Sequence, residues 1–263
     1  MRIGLVPTMG ALHEGHLSLI KKCKSDCDIT VVSIFVNPTQ FNNKEDFEKY
    51  PVTLEEDKQL LINEKADVLF HPDKQEIYPQ EGKISLSFGS LENVMEGKFR
   101  PGHFSGVGLI VSKLFNIISP DIAFFGQKDL QQVAVIKKLN EDLSFGIHIS
   151  VVPTVRDEKG LALSSRNKRL NDRQKNIAPV LFQTLIGVKD KILDKEKISV
   201  AMEWGRKNIS GYAPEIELEY LEIVDSNELT VVEDSSNHQE ISICVAAYLG
   251  DIRLIDNLFL FSR

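Results

Sequence analysis

The chain has 263 residues, 42% of them apolar and 26% charged, the balance of an ordinary globular protein and not of a disordered or fibrous one. Its net charge of −7 argues against a general nucleic-acid or anionic-membrane surface, while a local cationic cluster would suffice for a small anion. No signal peptide precedes Arg2, no apolar run is long enough to span a bilayer, and Cys23 and Cys27 read as ordinary thiols on one helix face, so a reduced cytoplasmic compartment is expected.

In chain order, Ile3 to Val6 predict a short buried strand; Pro7, Gly10 and Gly15 punctuate a turn, and Leu17, Leu19 and Ile20 begin a helical face. The turn reads HEGH, with His13 and His16 three residues apart, one above the other if the helix starts near His13. Unpaired N–H groups and the macrodipole favour anions there. The zinc-protease pattern H-E-x-x-H needs a spacing of four, and no nearby cysteine or third histidine completes a metal set. A capping turn with satisfied histidines is the plainer reading; strand, glycine turn and paired imidazoles together favour phosphate.

DITVVSIFV (28–36) predicts a strand covered on both faces. At its end FVNPTQF places Asn37 and Gln40, which either orient a hydroxyl and a carboxylate of a small ligand or simply form an Asn-Pro turn. A solvent-facing helix is expected over 54–65 and a strand over 66–70. EGKFRPGHFSGVG (96–108) carries Lys98, Arg100 and His103 among glycines, equally a flexible lid over an anion or a solvated loop. A buried helix (106–120), a strand (121–126), a helix (127–143) and a strand (147–155) follow. At the strand-to-helix join FFGQKDLQQ, Lys128 would reach a phosphate, and Asp129 would orient it, touch a ligand hydroxyl or hydrated cation, or merely cap the helix. Gln132 lies one helical turn beyond Asp129. In VRDEKGLALSSRN, Ser164, Ser165 and Arg166 supply donors that match phosphate oxygens, or a hydrophilic turn into the next domain.

Strands alternating with helices predict an α/β fold with a doubly wound parallel sheet, whose ligands bind at the carboxyl ends of the strands. Beyond Arg169 come amphipathic helices (171–193, 199–209) and strands (215–225, 241–250, 253–260), a smaller α+β arrangement. The division expected is a catalytic domain over 1–169 and a C-terminal domain over 170–263.

PTMGALHEGHL, VSIFVNPTQF, GKFRPGHFSGVG, FFGQKDLQQ and GLALSSRN, in this order, closely resemble the pantothenate synthetase (pantoate–β-alanine ligase) family. The resemblance implies a Rossmann-like sheet with helices on both faces, the H-x-G-H signature of nucleotidyltransferases, a smaller C-terminal domain and a homodimer. It implies ATP as co-substrate with Mg²⁺, pantoate and β-alanine as the other substrates, and release of AMP and pyrophosphate. Carried over by motif, ATP would lie against Met9, Gly10, Ala11, Leu12, His13, Glu14, Gly15 and His16, and against Gly126, Gln127, Lys128 and Asp129. Val155, Leu163, Ser164, Ser165 and Arg166 would complete that nucleotide site. His16 would be the proton donor, with His13, Lys128 and Arg166 beside it in catalysis; Gln40 and Gln132 would hold pantoate, and Gln40 would also lie near β-alanine. Mg²⁺ would be bound through the ATP phosphates, with no protein ligand set. Relatives usually carry an arginine where this chain has Val52, many have methionine in place of Leu163, and most begin with a further strand and helix. Two other readings remain open on the residues alone: a nucleotidyltransferase that stops after transferring a nucleotide, and a nucleotide-binding protein without turnover. The first strand is not followed by G-x-G-x-x-G, which counts against a dinucleotide-dependent reductase.

Overall fold

The computed structural model of the chain describes residues 1–42, 47–80, 82–234 and 240–262. The chain divides into two compact units, one of residues 1–127 and 131–153, the other of residues 128–130 and 154–263.

The first unit is built on five parallel strands: β1 (Ile3–Thr8), β2 (Ile29–Ile34), β3 (Val68–Phe70), β4 (Ile122–Gly126) and β5 (His148–Val152). Their order is β3-β2-β1-β4-β5. Successive residues feed opposite faces, as the two-residue period of a strand requires. Leu5, Val31, Ala123 and Phe125 pack into one core cluster, and their neighbours Val6, Val32, Ile122 and Phe124 into another. The near-continuous apolar runs of the sequence are thus strands covered on both sides. Helix α1 (Glu14–Asp26) and α2 (Leu54–Asn63) contribute to the second cluster. The short helices α3 (Lys74–Ile77) and α4 (Met95–Phe99) follow, then α5 (His103–Ile118) and α6 (Leu130–Asp142), and α3, α5 and α6 contribute to the first cluster. Each fully buried Leu, Ile, Val or Phe stabilises the fold by roughly 1.5–3 kcal/mol. The sheet grows from β1 to β2 and β3 on one side and through β4 to β5 on the other. The β1/β4 join is therefore the topological switch point, where a ligand crevice opens in such sheets.

Several expectations for the first unit change. The helix expected to face solvent over 54–65 ends at Asn63 and buries Asp57 and Leu61, four residues apart on one face. The basic stretch expected as a flexible loop contains α4, and α5 begins at a buried His103. The helix expected to start at 127 opens with a 3₁₀ turn, Gln127–Asp129, before α6.

The second unit carries helices α7 (Asp172–Ile177), α8 (Val180–Leu193) and α9 (Ile198–Ser210). They accompany an antiparallel sheet of β6 (Ile216–Asp225), β7 (Glu240–Leu249) and β8 (Ile252–Ser262), in that order. Leu181, Leu185 and Val188 of α8 and Ala201, Met202 and Ile209 of α9 meet Leu221, Ile223, Ile243 and Val245 in one core. The single helix expected over 171–193 is two, because Pro179 lacks the N–H that a continuous ladder would use. Among the described residues no helix is long and apolar enough to cross a membrane.

Candidate active site

In the first unit the site is built around the turn leaving β1. Thr8 anchors it, its hydroxyl donating to the Ser33 carbonyl at 2.8 Å and accepting from Gly10 N at 3.2 Å. Gly10 (φ 78°) and Ala11 (φ 50°) are both left-handed. For alanine this costs on the order of 1 kcal/mol or more, so something must hold it. What holds it is Asp57, which sequence reasoning left on a solvated face. Its carboxylate accepts Ala11 N at 2.9 Å and Leu12 N at 2.7 Å, and the Thr53 hydroxyl lies 3.3 Å away.

The helix then starts at Glu14, with His13 as its N-cap and the His13 Nδ1 accepting Gly15 N at 3.1 Å. This bond assigns the lone pair to Nδ1, so the proton of the neutral ring sits on Nε2. The His16 ring lies 4.1 Å from the His13 ring, centroid to centroid, and both are half-buried. Three backbone donors of this turn, those of Ala11, Leu12 and Gly15, are thus taken by side chains of the protein itself.

Beyond β2, Asn37 caps a 3₁₀ turn that ends in Gln40. Both are buried, and Asn37 is wired rather than poised for a ligand. Its Nδ2 donates to the Gln40 Oε1 and to the Gly106 carbonyl, each at 3.1 Å, while its Oδ1 accepts from Tyr78 at 2.9 Å and Thr39 Oγ1 at 2.9 Å. Gly106 is required here, because a side chain would run into the Thr39 carbonyl. Burial pushes the Tyr78 hydroxyl up, so it stays a donor. Gln40 in turn lies 3.1 Å from the Met9 sulfur through its Nε2, and its backbone carbonyl accepts His103 Nδ1 at 2.7 Å. A carbonyl accepts only, so His103 carries its proton on Nδ1, and Arg100 lies 3.3 Å from the other nitrogen. The opposite end of the basic stretch is tied by Gln131, which accepts Glu96 N at 2.8 Å and donates to the Leu91 and Val94 carbonyls. Gln132, its neighbour, is half-buried on the first turn of α6. Met9 meets Gln40 and His13 meets His16 on the turn that leaves β1, and Gly126 ends the strand adjacent to β1.

In the second unit, Lys128 and Asp129 lie with their charged atoms 3.8 Å apart. The Lys128 carbonyl accepts the Asn257 Nδ2 at 2.8 Å, so β8 holds the lysine's backbone. Beside Asn257, the buried Asp256 is gripped by Arg156 at 2.5 and 2.9 Å, and the guanidinium stacks on Phe182 at 3.5 Å. Burial pushes the Asp256 carboxyl up, and Arg156 pulls it back down. Val155 and Leu163 are joined by a backbone bond of 2.9 Å from Leu163 N to the Val155 carbonyl. Ser164 caps the following 3₁₀ turn (Ser165–Arg169) by accepting Arg166 N at 3.3 Å, so its oxygen already has structural work. Ser164, Ser165 and Arg166 are half-buried. Among the described residues no group of three or more histidines, cysteines or acids could hold a metal ion. Sequence reasoning missed Asp57, Arg156, Asp256 and Asn257. Only the Asp-Asn pair inside the apolar strand RLIDNLFL left a visible signal, since buried polar groups demand partners.

A family model described as pantoate-beta-alanine ligase matches residues 1–259. A pantothenate synthetase of Cytophaga hutchinsonii is 49% identical over 257 residues, 97% of this chain and 90% of the relative. One of Psychrobacter arcticus is 49% identical over 260 residues, 97% and 89% of the two chains. A crystal structure of the pantothenate synthetase of Thermus thermophilus matches with a TM-score of 0.94 at 38% identity, covering 99% of this chain and 94% of that one. The pantoate-beta-alanine ligase of Francisella tularensis, in complex with beta-gamma ATP and beta-alanine, matches with a TM-score of 0.79 at 39% identity, covering 98% and 90%.

Proposed function

The chain belongs to the pantoate–β-alanine ligase family, and from that premise we propose how its residues make pantothenate from pantoate, β-alanine and ATP. In the first step a pantoate carboxylate oxygen attacks the α-phosphorus of ATP in line, forming pantoyl adenylate and releasing pyrophosphate. In the second, the amine of β-alanine attacks the activated carbonyl, the C–O bond to AMP breaks, and the amine's proton passes to solvent. No protein nucleophile is needed, so orientation and charge neutralisation carry the rate.

Met9 to His16, Gly126 to Asp129, Val155 and Leu163 to Arg166 are assigned to ATP. His16 acts as proton donor to the pyrophosphate oxygen that departs in the first step, and His13, Lys128 and Arg166 counter charge on the phosphates. Gln40 and Gln132 hold pantoate, and Gln40 also faces β-alanine. The fixed amide of Gln40, held by Asn37, supports this role: a pre-oriented group loses little entropy on binding. Mg²⁺ fits as a ligand of the ATP phosphates with at most one carboxylate from the protein, the usual arrangement for this hard cation; Asp129, beside Lys128, is the residue that would supply it. Bound there, Mg²⁺ would neutralise phosphate charge. The working form is a cytoplasmic homodimer, a reading supported by family membership.

The observation that carries the reading is the His13–His16 pair on the turn leaving β1, the strand beside the switch point. Product formation measured with each substrate omitted in turn tests it: pyrophosphate should need both ATP and pantoate, and AMP and pantothenate should also need β-alanine. Nucleotide binding without any AMP would overturn it.

A further inference from the structure

Asp57 is 2% exposed, yet it sits on a helix whose neighbours Glu55 and Glu56 face solvent. A carboxylate is costly to bury, and the cost is met only where hydrogen bonds replace its water. Here the replacement is specific. The two carboxylate oxygens take the N–H groups of two successive residues, Ala11 at 2.9 Å and Leu12 at 2.7 Å. Those residues follow directly on the left-handed Gly10, whose own Cα leaves just enough room: an added Cβ would stand 3.0 Å from the Asp57 Oδ2. The next residue is His13, the cap of α1, and His16 follows within its first turn. Asp57 therefore fixes the backbone immediately before both imidazoles.

We propose that Asp57 is a positioning residue of the ligase: an internal anion that occupies the N–H groups of Ala11 and Leu12, keeps ATP phosphates off them, and sets the placement of His13 and His16. The role rests on the functional reading above. It predicts that phosphate recognition at this turn falls to side chains and to donors other than those two amides. It also explains why a turn assigned to a polyanion is underlain by a negative charge: the charge is spent on the turn's own geometry.

Two experiments test it. In the wild-type protein, amide exchange at Ala11 and Leu12 should be slow without nucleotide and should stay unchanged when a non-hydrolysable ATP analogue binds. Fast exchange in the free protein, becoming protected only with the analogue, would overturn the proposal, since those donors would then serve the phosphates. The second uses Asp57→Asn, which keeps the shape but sets an NH₂ against one of the two N–H groups. A misplacement of about 1 Å costs roughly 10²-fold in rate, so kcat for pantoate-dependent pyrophosphate release should fall by about that factor. The KM for β-alanine should hold, the His13 and His16 ring resonances should shift, and Asp57→Glu should recover part of the rate. A folded Asp57→Asn with wild-type kcat and unshifted imidazoles would sink the idea. Should Asp57→Asn not fold, the exchange experiment decides alone. Failure of the underlying reading looks different: the wild-type protein itself would then release no pyrophosphate from ATP and pantoate.

Discussion

The first unit buries Asp57 and the second buries Asp256, and the two carboxylates are compensated in opposite ways. Asp57 in the first unit is met by two backbone N–H groups and a hydroxyl. Asp256 in the second is met by the two-pronged Arg156, itself covered by the Phe182 ring, and by Asn257 N at 2.8 Å. Dipoles of a turn can hold a charge only while the turn keeps its shape, so Asp57 ties its charge to local geometry. An ion pair holds its charge through a side chain, so Asp256 ties its own to the packing between β8 and the 154–163 segment. The first device should fail kinetically, the second thermodynamically.

The largest effect expected is on stability. Arg156→Met leaves Asp256 buried without its cation, and breaking such a pair from one side costs about 3–5 kcal/mol. Urea unfolding should show that loss, and Arg156→Met combined with Asp256→Leu should recover most of it, because the uncompensated charge is gone. If the double variant were as unstable as the single one, the pair would not be acting through charge, and the contrast with Asp57 would break.

Next is His16→Ala, which should lower pantoate-dependent pyrophosphate release by roughly 10²–10³-fold, the usual cost of a lost transition-state donor. The half-buried ring leaves little cavity, so the urea midpoint should scarcely move. A wild-type rate would remove the assigned role; a large stability loss would blur the division between a kinetic first unit and a thermodynamic second one.

Asn257→Ala should have a smaller effect than either. The bond from its Nδ2 to the Lys128 carbonyl is worth about 0.5–1.5 kcal/mol. On that basis kcat should drop by about two- to tenfold, with smaller change in stability than in Arg156→Met. An unchanged kcat would mean that the backbone of Lys128 needs no help from β8.

The contrast also marks where sequence reading succeeds. The strand-helix alternation, the apolar runs of β1, β2 and β4 and the switch-point loops were legible because periodicity reports burial directly. His13, His16 and Gln40 stand out in the sequence because their residue types are unusual at strand ends, and the roles given them are those proposed above. Asp57 was not legible, since LEEDKQLL offers three successive acids, two glutamates and an aspartate, and the buried one is chosen by a turn 46 residues away in the chain. For Asn37 the sequence leaves a ligand contact and an Asn-Pro turn both open, because nothing local reveals that Gly106 and Tyr78 take its amide. The break at Pro179 is not foreseen in the single helix expected over 171–193, although a proline inside such a run removes the N–H that the hydrogen-bond ladder needs.

The smallest effect concerns a group that the first unit buries without any charge. Cys23 on α1 packs against Gly4 of β1, where a side chain would run into its sulfur. Burial pushes its thiol up from 9.0 to about 12, with only a partial offset from a Thr30 hydrogen bond. A pKa raised in the folded state means that the unfolded chain loses its proton first. The contribution is therefore fully present below the unfolded value near 9.0 and lost as pH rises toward about 12. Between those limits wild-type stability should decline by about 1.4 kcal/mol per pH unit from this group alone. Urea midpoints from pH 8 to pH 11 should fall less steeply in Cys23→Ala than in wild type, the other titrating groups being common to both. Equal slopes would show that the sulfur reaches water in the native state, and that this face of the sheet tolerates a charge which, for Asp57, it accepts only with two amides in attendance.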